Sequence, residues 1–153
     1  MAYQSEDEIQ WIERKQTWKK VLIMKREIKF RGKRVRTEDP LERWIEGFYV
    51  EYTNIRDEKI IKIMSQSGYM NDINPETVGQ FTGVKYNDRE IYEHDLVECA
   101  GVLCEVVYSD KIGSFVLLEV LSQNLGNKPI GQMIDMFGIR YVGNIYDSPE
   151  LLK

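Results

Sequence analysis

The stretch Leu96-Val97-Glu98-Cys99-Ala100-Gly101-Val102-Leu103-Cys104-Glu105-Val106-Val107-Tyr108 decides the fold of this chain. It consists of two runs rich in β-branched and apolar residues on either side of Ala100-Gly101. A pair of small residues between two such runs is typical of a tight turn that joins antiparallel strands. The second run also alternates, so every other side chain lies on one face. The stretch therefore predicts a β-hairpin.

Further β-rich runs surround this hairpin at short intervals. A glycine-containing turn at Asp110–Ser114 separates two of them. The segment 130–137 fits either a short helix or a bulged strand, and Ser148-Pro149 predicts a final helical turn. The predicted strands are Val78–Thr82, Leu96–Cys99, Val102–Tyr108, Phe115–Leu121 and Ile139–Tyr146. Strands at this density are typical of a barrel or sandwich, so we predict a barrel-like part over residues 78–153.

The N-terminal half has a mixed pattern. Ser5 and Glu8 fit a capping box, and amphipathic spacing continues to about Leu22, so residues 1–23 are predicted to form a helical extension. Met24–Arg31 then alternates between apolar and charged residues, which predicts a strand.

The next segment predicts a short helix followed by a hairpin. Asp39-Pro40 is typical of a helix start, and this helix is expected to reach Trp44 or Ile45. Phe48–Thr53 and Ile60–Met64 are β-rich runs separated by polar residues, which indicates two paired strands.

Asn71-Asp72-Ile73-Asn74-Pro75 is the strongest loop signal of the first half and a candidate boundary. We therefore predict three segments: a helical extension over 1–23, a mixed α/β part over 24–77 and the barrel-like part over 78–153. The predicted fold class is mainly β, a β-rich α+β protein with an N-terminal helix.

Composition excludes several protein classes. Hydrophobic residues make up 42% and aromatic residues 11%, which is typical of a folded chain and not of a disordered one. No apolar run approaches the roughly 20 residues that cross a bilayer. The N-terminus is acidic where a secretory signal is basic. We expect a cytoplasmic protein that makes no membrane contact.

Groups with catalytic chemistry are few. His94 is the only histidine and lies between Glu93 and Asp95, but neighbours on an extended chain point to opposite faces. We expect Asp95 to accept backbone N–H hydrogen bonds at a turn instead. No phosphate-binding glycine motif occurs. The sequence predicts no catalytic residue and no cofactor, and therefore a protein that is not an enzyme.

The two cysteines are Cys99 and Cys104. A two-residue turn at Ala100-Gly101 places Cys99 opposite Val102 and Cys104 opposite Val97. With His94 they make three zinc ligands at most, without CxxC spacing. We interpret both as small buried hydrophobic residues and predict no metal site.

The charge distribution is uneven. Eleven lysines and arginines lie between Arg14 and Arg36, whereas residues 78–153 are acidic. Basic residues interleaved with aromatic rings are typical of nucleic-acid contacts. The candidate contact residues are Lys19, Lys20, Lys25, Arg26, Lys29, Arg31, Lys33, Arg34 and Arg36. The alternative interpretation is a charged outer face balanced by acidic patches of the barrel-like part or of a partner.

Aromatic residues support a different hypothesis. The chain has more rings than a core of this size requires, and tyrosine and tryptophan are enriched at protein interfaces. The candidate interface rings are Trp44, Tyr49, Tyr52, Tyr86, Tyr92, Tyr141 and Tyr146. They predict a homo-oligomer or a complex with a protein partner, unless half of them cover the core.

Two segments carry a resemblance to a known family. Thr77-Val78-Gly79-Gln80-Phe81-Thr82-Gly83-Val84 and Asn87-Asp88-Arg89-Glu90-Ile91-Tyr92-Glu93-His94-Asp95-Leu96-Val97 closely resemble the YopX family of phage and prophage proteins. Met24–Arg31 resembles its usual start and Val142–Leu152 its usual end, so the resemblance covers about residues 24–153. His94 stands where the family pattern usually has glycine, at a position that favours positive φ.

The resemblance implies a phage origin and a mostly β fold, and it implies no catalytic residues. We therefore expect a phage or prophage accessory protein that acts as a protein-interaction or self-assembling module. The alternative is a nucleic-acid-binding accessory protein that uses the basic stretch 14–36.

Overall fold

A computed structural model describes residues 26–38 and 43–153. The predicted N-terminal helix lies outside these residues. In the described part, ten strands, one α-helix and two short 3-10 helices occur. The strands are β1 (Phe30–Lys33), β2 (Trp44–Thr53), β3 (Lys59–Met64), β4 (Met70–Asp72), β5 (Gly79–Tyr86), β6 (Arg89–Tyr92), β7 (Asp95–Cys99), β8 (Val102–Ser109), β9 (Ser114–Glu119) and β10 (Arg140–Asn144). The α-helix is α1 (Ile130–Phe137), and the 3-10 helices span Pro75–Thr77 and Pro149–Leu152.

The strands form two antiparallel sheets, which confirms a mainly β fold. Sheet 1 has the order β4-β3-β2-β1-β5-β6, and sheet 2 has the order β10-β7-β8-β9. Both sheets stay open in the described part of the chain, so the predicted barrel-like C-terminal part is not confirmed. The reason is that β5 pairs with β1 of the N-terminal half. The strands after residue 78 are thereby divided between two sheets.

The hairpin at Ala100-Gly101 has the predicted register. Cys99 pairs with Val102, and Cys104 pairs with Val97. Ala100 and Gly101 have φ values of 50° and 78°, so both turn residues are left-handed. Two-residue turns of this kind match the natural twist of antiparallel strands. Local sequence is therefore sufficient to set this part of sheet 2.

The core of sheet 2 is covered by α1. Segment 130–137 is a helix and not a bulged strand, and it ends at Gly138, whose N–H donates to the carbonyl of Ile134 at 2.7 Å. The buried apolar side chains of this core are Ile91, Val97, Cys99, Cys104, Val106, Phe115, Leu117, Ile130 and Ile139. The predicted final helical turn is also present, as the 3-10 helix Pro149–Leu152.

Two predictions for the beginning of the described chain are wrong in part. Within the described residues of the predicted strand Met24–Arg31, β1 begins at Phe30, and residues 26–29 are not part of a strand. Trp44 is the first residue of β2 and pairs with Lys33, so the helix predicted from Asp39 does not reach it. Residues 39–42 lie outside the described ranges. Pairing with β1 outweighs the local helix signal at Trp44, as tertiary context commonly does.

The predicted loop at Asn71–Pro75 contains a strand. Asn71 lies in β4 and pairs with Ile63, while its side-chain amide donates to the Ile63 carbonyl at 3.2 Å. Ile73 is 4% exposed and joins the core. Turn-forming residues here end a short edge strand.

No helix in residues 26–38 and 43–153 has the length and apolar character needed to cross a bilayer.

The backbones of β2 and β3 approach closely at Gly47, and this leads to a prediction about stability. A Cβ atom at this position in β2 would overlap the carbonyl oxygen of Met64 in β3 and press on the Ile63 side chain. We expect Gly47→Ala to lower the free energy of unfolding by about 1–3 kcal/mol, measured by urea denaturation. Gly131→Ala is the control, because the space around residue 131 in α1 is open. It should be neutral or stabilising by less than about 1 kcal/mol. Equal effects of the two substitutions would contradict this account.

Candidate functional site

The structure describes six of the nine basic residues predicted to contact nucleic acid. Lys19, Lys20 and Lys25 lie outside the described residues. Arg26 and Arg36 are exposed, whereas the other four are partly buried. Lys29, Arg31 and Lys33 pair with carboxylates of this chain, and Arg34 and Arg36 lie in the segment that follows β1.

The basic row of β1 points toward carboxylates of this same chain. Alternate residues of the strand face the same way, and each has an acidic partner from a later segment. The pairs are Lys29–Glu90 at 2.7 Å, Arg31–Asp95 at 2.6 Å and Lys33–Asp147 at 2.5 Å. The basic side chains are only 12–15% exposed. Their charges are balanced within the fold, which leaves little for phosphate groups.

Arg31 of β1 and Asp95 of β7 form an ion pair between the two sheets. Asp95 is 1% exposed, and its Oδ1 accepts from Nη2 of Arg31. Its Oδ2 accepts from the backbone N–H of Tyr92 at 2.7 Å. The guanidinium carbon lies 4.8 Å from the ring centre of Trp44 and 4.7 Å from that of Tyr92. The cation is therefore held by rings as well as by the carboxylate.

Burial has the largest effect on the pKa of Asp95. It raises the pKa of this carboxyl above its ordinary value, although Arg31 and the Tyr92 N–H both favour the charged form. The predicted role of Asp95 as an acceptor for a backbone N–H is confirmed. Its pairing with Arg31 was not predicted, because the two residues are 64 positions apart and no local pattern links them.

Asp147 connects the segment after β10 to sheet 1. This carboxylate accepts from Lys33 Nζ, from Trp44 Nε1 at 2.7 Å and from Asn144 Nδ2 at 3.0 Å. Burial raises its pKa, but the three donors together outweigh burial and lower the pKa to about 2. The hydroxyl of Tyr146 also donates to the carbonyl of Glu76 at 2.6 Å. We call Asn144–Asp147 with these contacts the clasp.

His94 lies in the turn between β6 and β7 and contacts side chains of this chain. Its φ is 70°, which matches the expected preference for glycine there. Its Nδ1 lies 2.8 Å from Oε1 of Glu105, and its ring packs edge-on against Tyr146. Asp95 faces Arg31 instead, so the two neighbours do not form an acid–base pair.

The cysteines lie in the core of sheet 2. Both are buried free thiols. Burial raises the pKa of Cys104 to about 11, which makes its thiolate scarce at neutral pH. Among the described residues no group of three metal-binding side chains comes together.

Exposed apolar side chains concentrate on one part of sheet 1. Residues 48–72, which contain the outer half of β2 with β3 and β4, are called the arm. Six of the fifteen large hydrophobic residues exposed in the described chain lie on it: Phe48, Tyr49, Tyr52, Ile55, Tyr69 and Met70. Of the predicted interface rings only Tyr49 and Tyr52 are exposed, while Tyr92 is buried and the others are half-buried. Tyr69 and Phe48 were missed, because nothing in the sequence distinguishes them from core residues.

One side of the arm has an apolar surface that we call the outer face. Paired residues of antiparallel strands share a face, and the register places Phe48 beside Met64 and Met64 beside Met70. The residues of the outer face are Phe48, Val50, Tyr52, Ile60, Met64 and Met70. Three of them are more than a third exposed.

A comparison with protein families identifies this chain. The family model described as YopX protein matches residues 4–153.

The chain belongs to the YopX family.

Membership of the YopX family suggests a phage-associated protein of unspecified function. The match begins at residue 4, well before Met24, where the resemblance in the sequence was placed. A search of curated proteins finds no match for this chain.

The Arg31–Asp95 contact gives a testable stability prediction. Asp95→Leu leaves Arg31 buried without its carboxylate and should lower the free energy of unfolding by about 3–5 kcal/mol. Arg31→Met together with Asp95→Leu should recover a large part of this loss, because no charge is then left unpaired. A double-mutant cycle in urea denaturation measures the coupling.

The exposed pair Arg140–Glu98 provides the control for this cycle. Its side chains are 70% and 39% exposed, so Glu98→Gln should change stability by less than about 1 kcal/mol. Additive effects of the two substitutions at Arg31 and Asp95 would contradict the proposed coupling.

The clasp predicts a pH dependence of stability. The pKa of Asp147 is lowered to about 2 in the folded chain, so its contribution is complete above the ordinary value of 3.8 and disappears as the pH falls through about 2. Asp147→Asn should therefore flatten the fall in unfolding free energy between these pH values. Chemical denaturation at a series of pH values measures it, with Asp110→Asn in an exposed turn as the control. An unchanged pH profile in Asp147→Asn would refute the role of this carboxylate.

Proposed function

We propose that this YopX protein is a non-catalytic phage accessory protein that associates with itself through the outer face of the arm. The observation that carries the proposal is the exposure of Phe48 at 48% and Tyr52 at 44% in β2 and of Met70 at 37% in β4, the two strands that flank β3. Contiguous exposed apolar surface marks contact sites on soluble proteins. Aromatic residues and methionine are also the types enriched in interfaces.

A second copy is the partner that the charges of this face favour. In a two-fold dimer the same surface meets itself, so a face with net charge would repel its copy. The charged side chains on the outer face are Lys62 and Asp72, which lie 2.9 Å apart and balance each other. A neutral apolar face with one paired cation and anion is suited to packing against itself.

Binding without catalysis is supported by the state of the reactive groups. His94 contacts Glu105, Asp95 is paired with Arg31, and both cysteines are buried. Each of these groups has a structural partner or lies in the core.

Nucleic-acid binding through the basic stretch 14–36 stays a prediction. The internal pairing of Lys29, Arg31 and Lys33 makes it the weaker alternative.

Light scattering over a range of protein concentrations tests the proposed association. We expect a dimer whose fraction rises with concentration. The double substitution Phe48→Glu and Tyr52→Glu places carboxylates against carboxylates across the interface and should weaken dimerisation by on the order of a hundredfold. Circular dichroism verifies that this variant is folded.

Leu121→Glu is the matched control, because Leu121 is 84% exposed on the connection that follows β9, away from the arm. It should dimerise like the unmodified chain. A chain that is monomeric at every concentration, or a double variant that dimerises with unchanged affinity, would refute the proposal.

A further inference from the structure

A groove of about 750 Å³ crosses the edge of the arm. One side consists of residues of β3 and β4, and the other is the segment 34–36 that follows β1. Backbone contacts hold the two sides together: Arg34 forms a bridge with Ile73, and the N–H of Val35 donates to the Asp72 carbonyl at 3.1 Å. Sheet-like contacts therefore fix the spacing between the two sides of the groove.

The floor of this groove is aliphatic. Ile61 and Ile73 line it, and Ile73 is almost fully buried. Val35 extends the same surface outward and is 60% exposed. Tyr69, at 72% exposure, is the one aromatic residue among the described lining residues. Such a floor favours apolar side chains over flat rings that need a stacking surface.

The rim is basic. Three cations and one carboxylate lie in the lining: Arg34, Arg36 and Lys59, and Asp72. Asp72 is already engaged with Lys62. Lys59 touches Glu51 at 3.0 Å but stays 62% exposed, and Arg36 is exposed as well. The groove is thus positive in a chain whose net charge is −4.

We infer that this groove binds an acidic peptide segment of a partner protein. Carboxylates of the segment would face Arg36 and Lys59, while its aliphatic side chains would cover Val35 and Ile61. Charge complementarity of this kind selects partners and orients them. The site goes beyond the proposed self-association: it shares Ile60, Met70 and Asp72 with the outer face, but it also uses Lys59 and segment 34–36.

Fluorescence anisotropy with the full chain tests the groove at low ionic strength. The probe is a fluorescein-labelled peptide of alternating glutamate and leucine. We expect saturable binding that added salt weakens. Arg36→Glu with Lys59→Glu should weaken it at least about tenfold, since two attractive contacts become repulsive. Lys111→Glu, in the exposed turn between β8 and β9, is the matched control and should bind normally.

Two further measurements test the floor. A peptide with serine in place of leucine should bind more weakly to the unmodified chain, and Val35→Ser should weaken binding of the leucine peptide. Absence of binding, equal binding by the Arg36→Glu, Lys59→Glu variant, or equal binding of the serine peptide would overturn the inference. An oligo-dT strand that bound more tightly than the peptide, and lost this binding in the Arg36→Glu, Lys59→Glu variant, would also overturn the inference. The groove would then be a nucleic-acid site.

The proposed self-association is measured separately, by light scattering of the Arg36→Glu, Lys59→Glu variant. This variant leaves Phe48 and Tyr52 in place and should dimerise normally. Failure of the groove and failure of the outer face are therefore distinguishable.

Discussion

The buried ion pair of Arg31 and Asp95 constrains how the two sheets of this protein meet. Arg31 lies in β1, in the interior of sheet 1, and Asp95 is the first residue of β7 in sheet 2. Both are withdrawn from water, and a buried charge that loses its partner costs several kcal/mol. Other packings of the two sheets would separate them, so their pairing selects one arrangement. The rings of Trp44 and Tyr92 on the guanidinium restrict the orientation further.

Pairing of this kind also explains why basic and acidic residues are distributed unevenly along the sequence. Three cations of the β1 row form ion pairs with carboxylates of β6, β7 and the clasp. The acidic character of the C-terminal half is, in this respect, the counter-charge of the basic stretch. What resembles a nucleic-acid surface in the sequence is partly an internal charge system. The cations that remain at the surface, such as Arg36 and Lys59, lie at the edge of the arm.

Local signals predicted the local structure well. The turn at Ala100-Gly101 and the hairpin of the arm follow from propensity and alternation, and both were correct. The order of strands was not predictable, because β5 joins β1 through pairings that no neighbouring residues encode. Trp44 shows the same limit, since its place in β2 depends on Lys33 across the sheet. The groove was beyond prediction for the same reason: it exists only where segment 34–36 crosses β4.

The clasp has a consequence for the time course of synthesis. Lys33 and Trp44 are translated before their shared partner Asp147, which lies 103 positions after Trp44. Contacts over such separations close late, because a long loop must first be ordered. A nascent chain that has not yet reached residue 147 therefore has Lys33 without this carboxylate and Trp44 Nε1 without its acceptor.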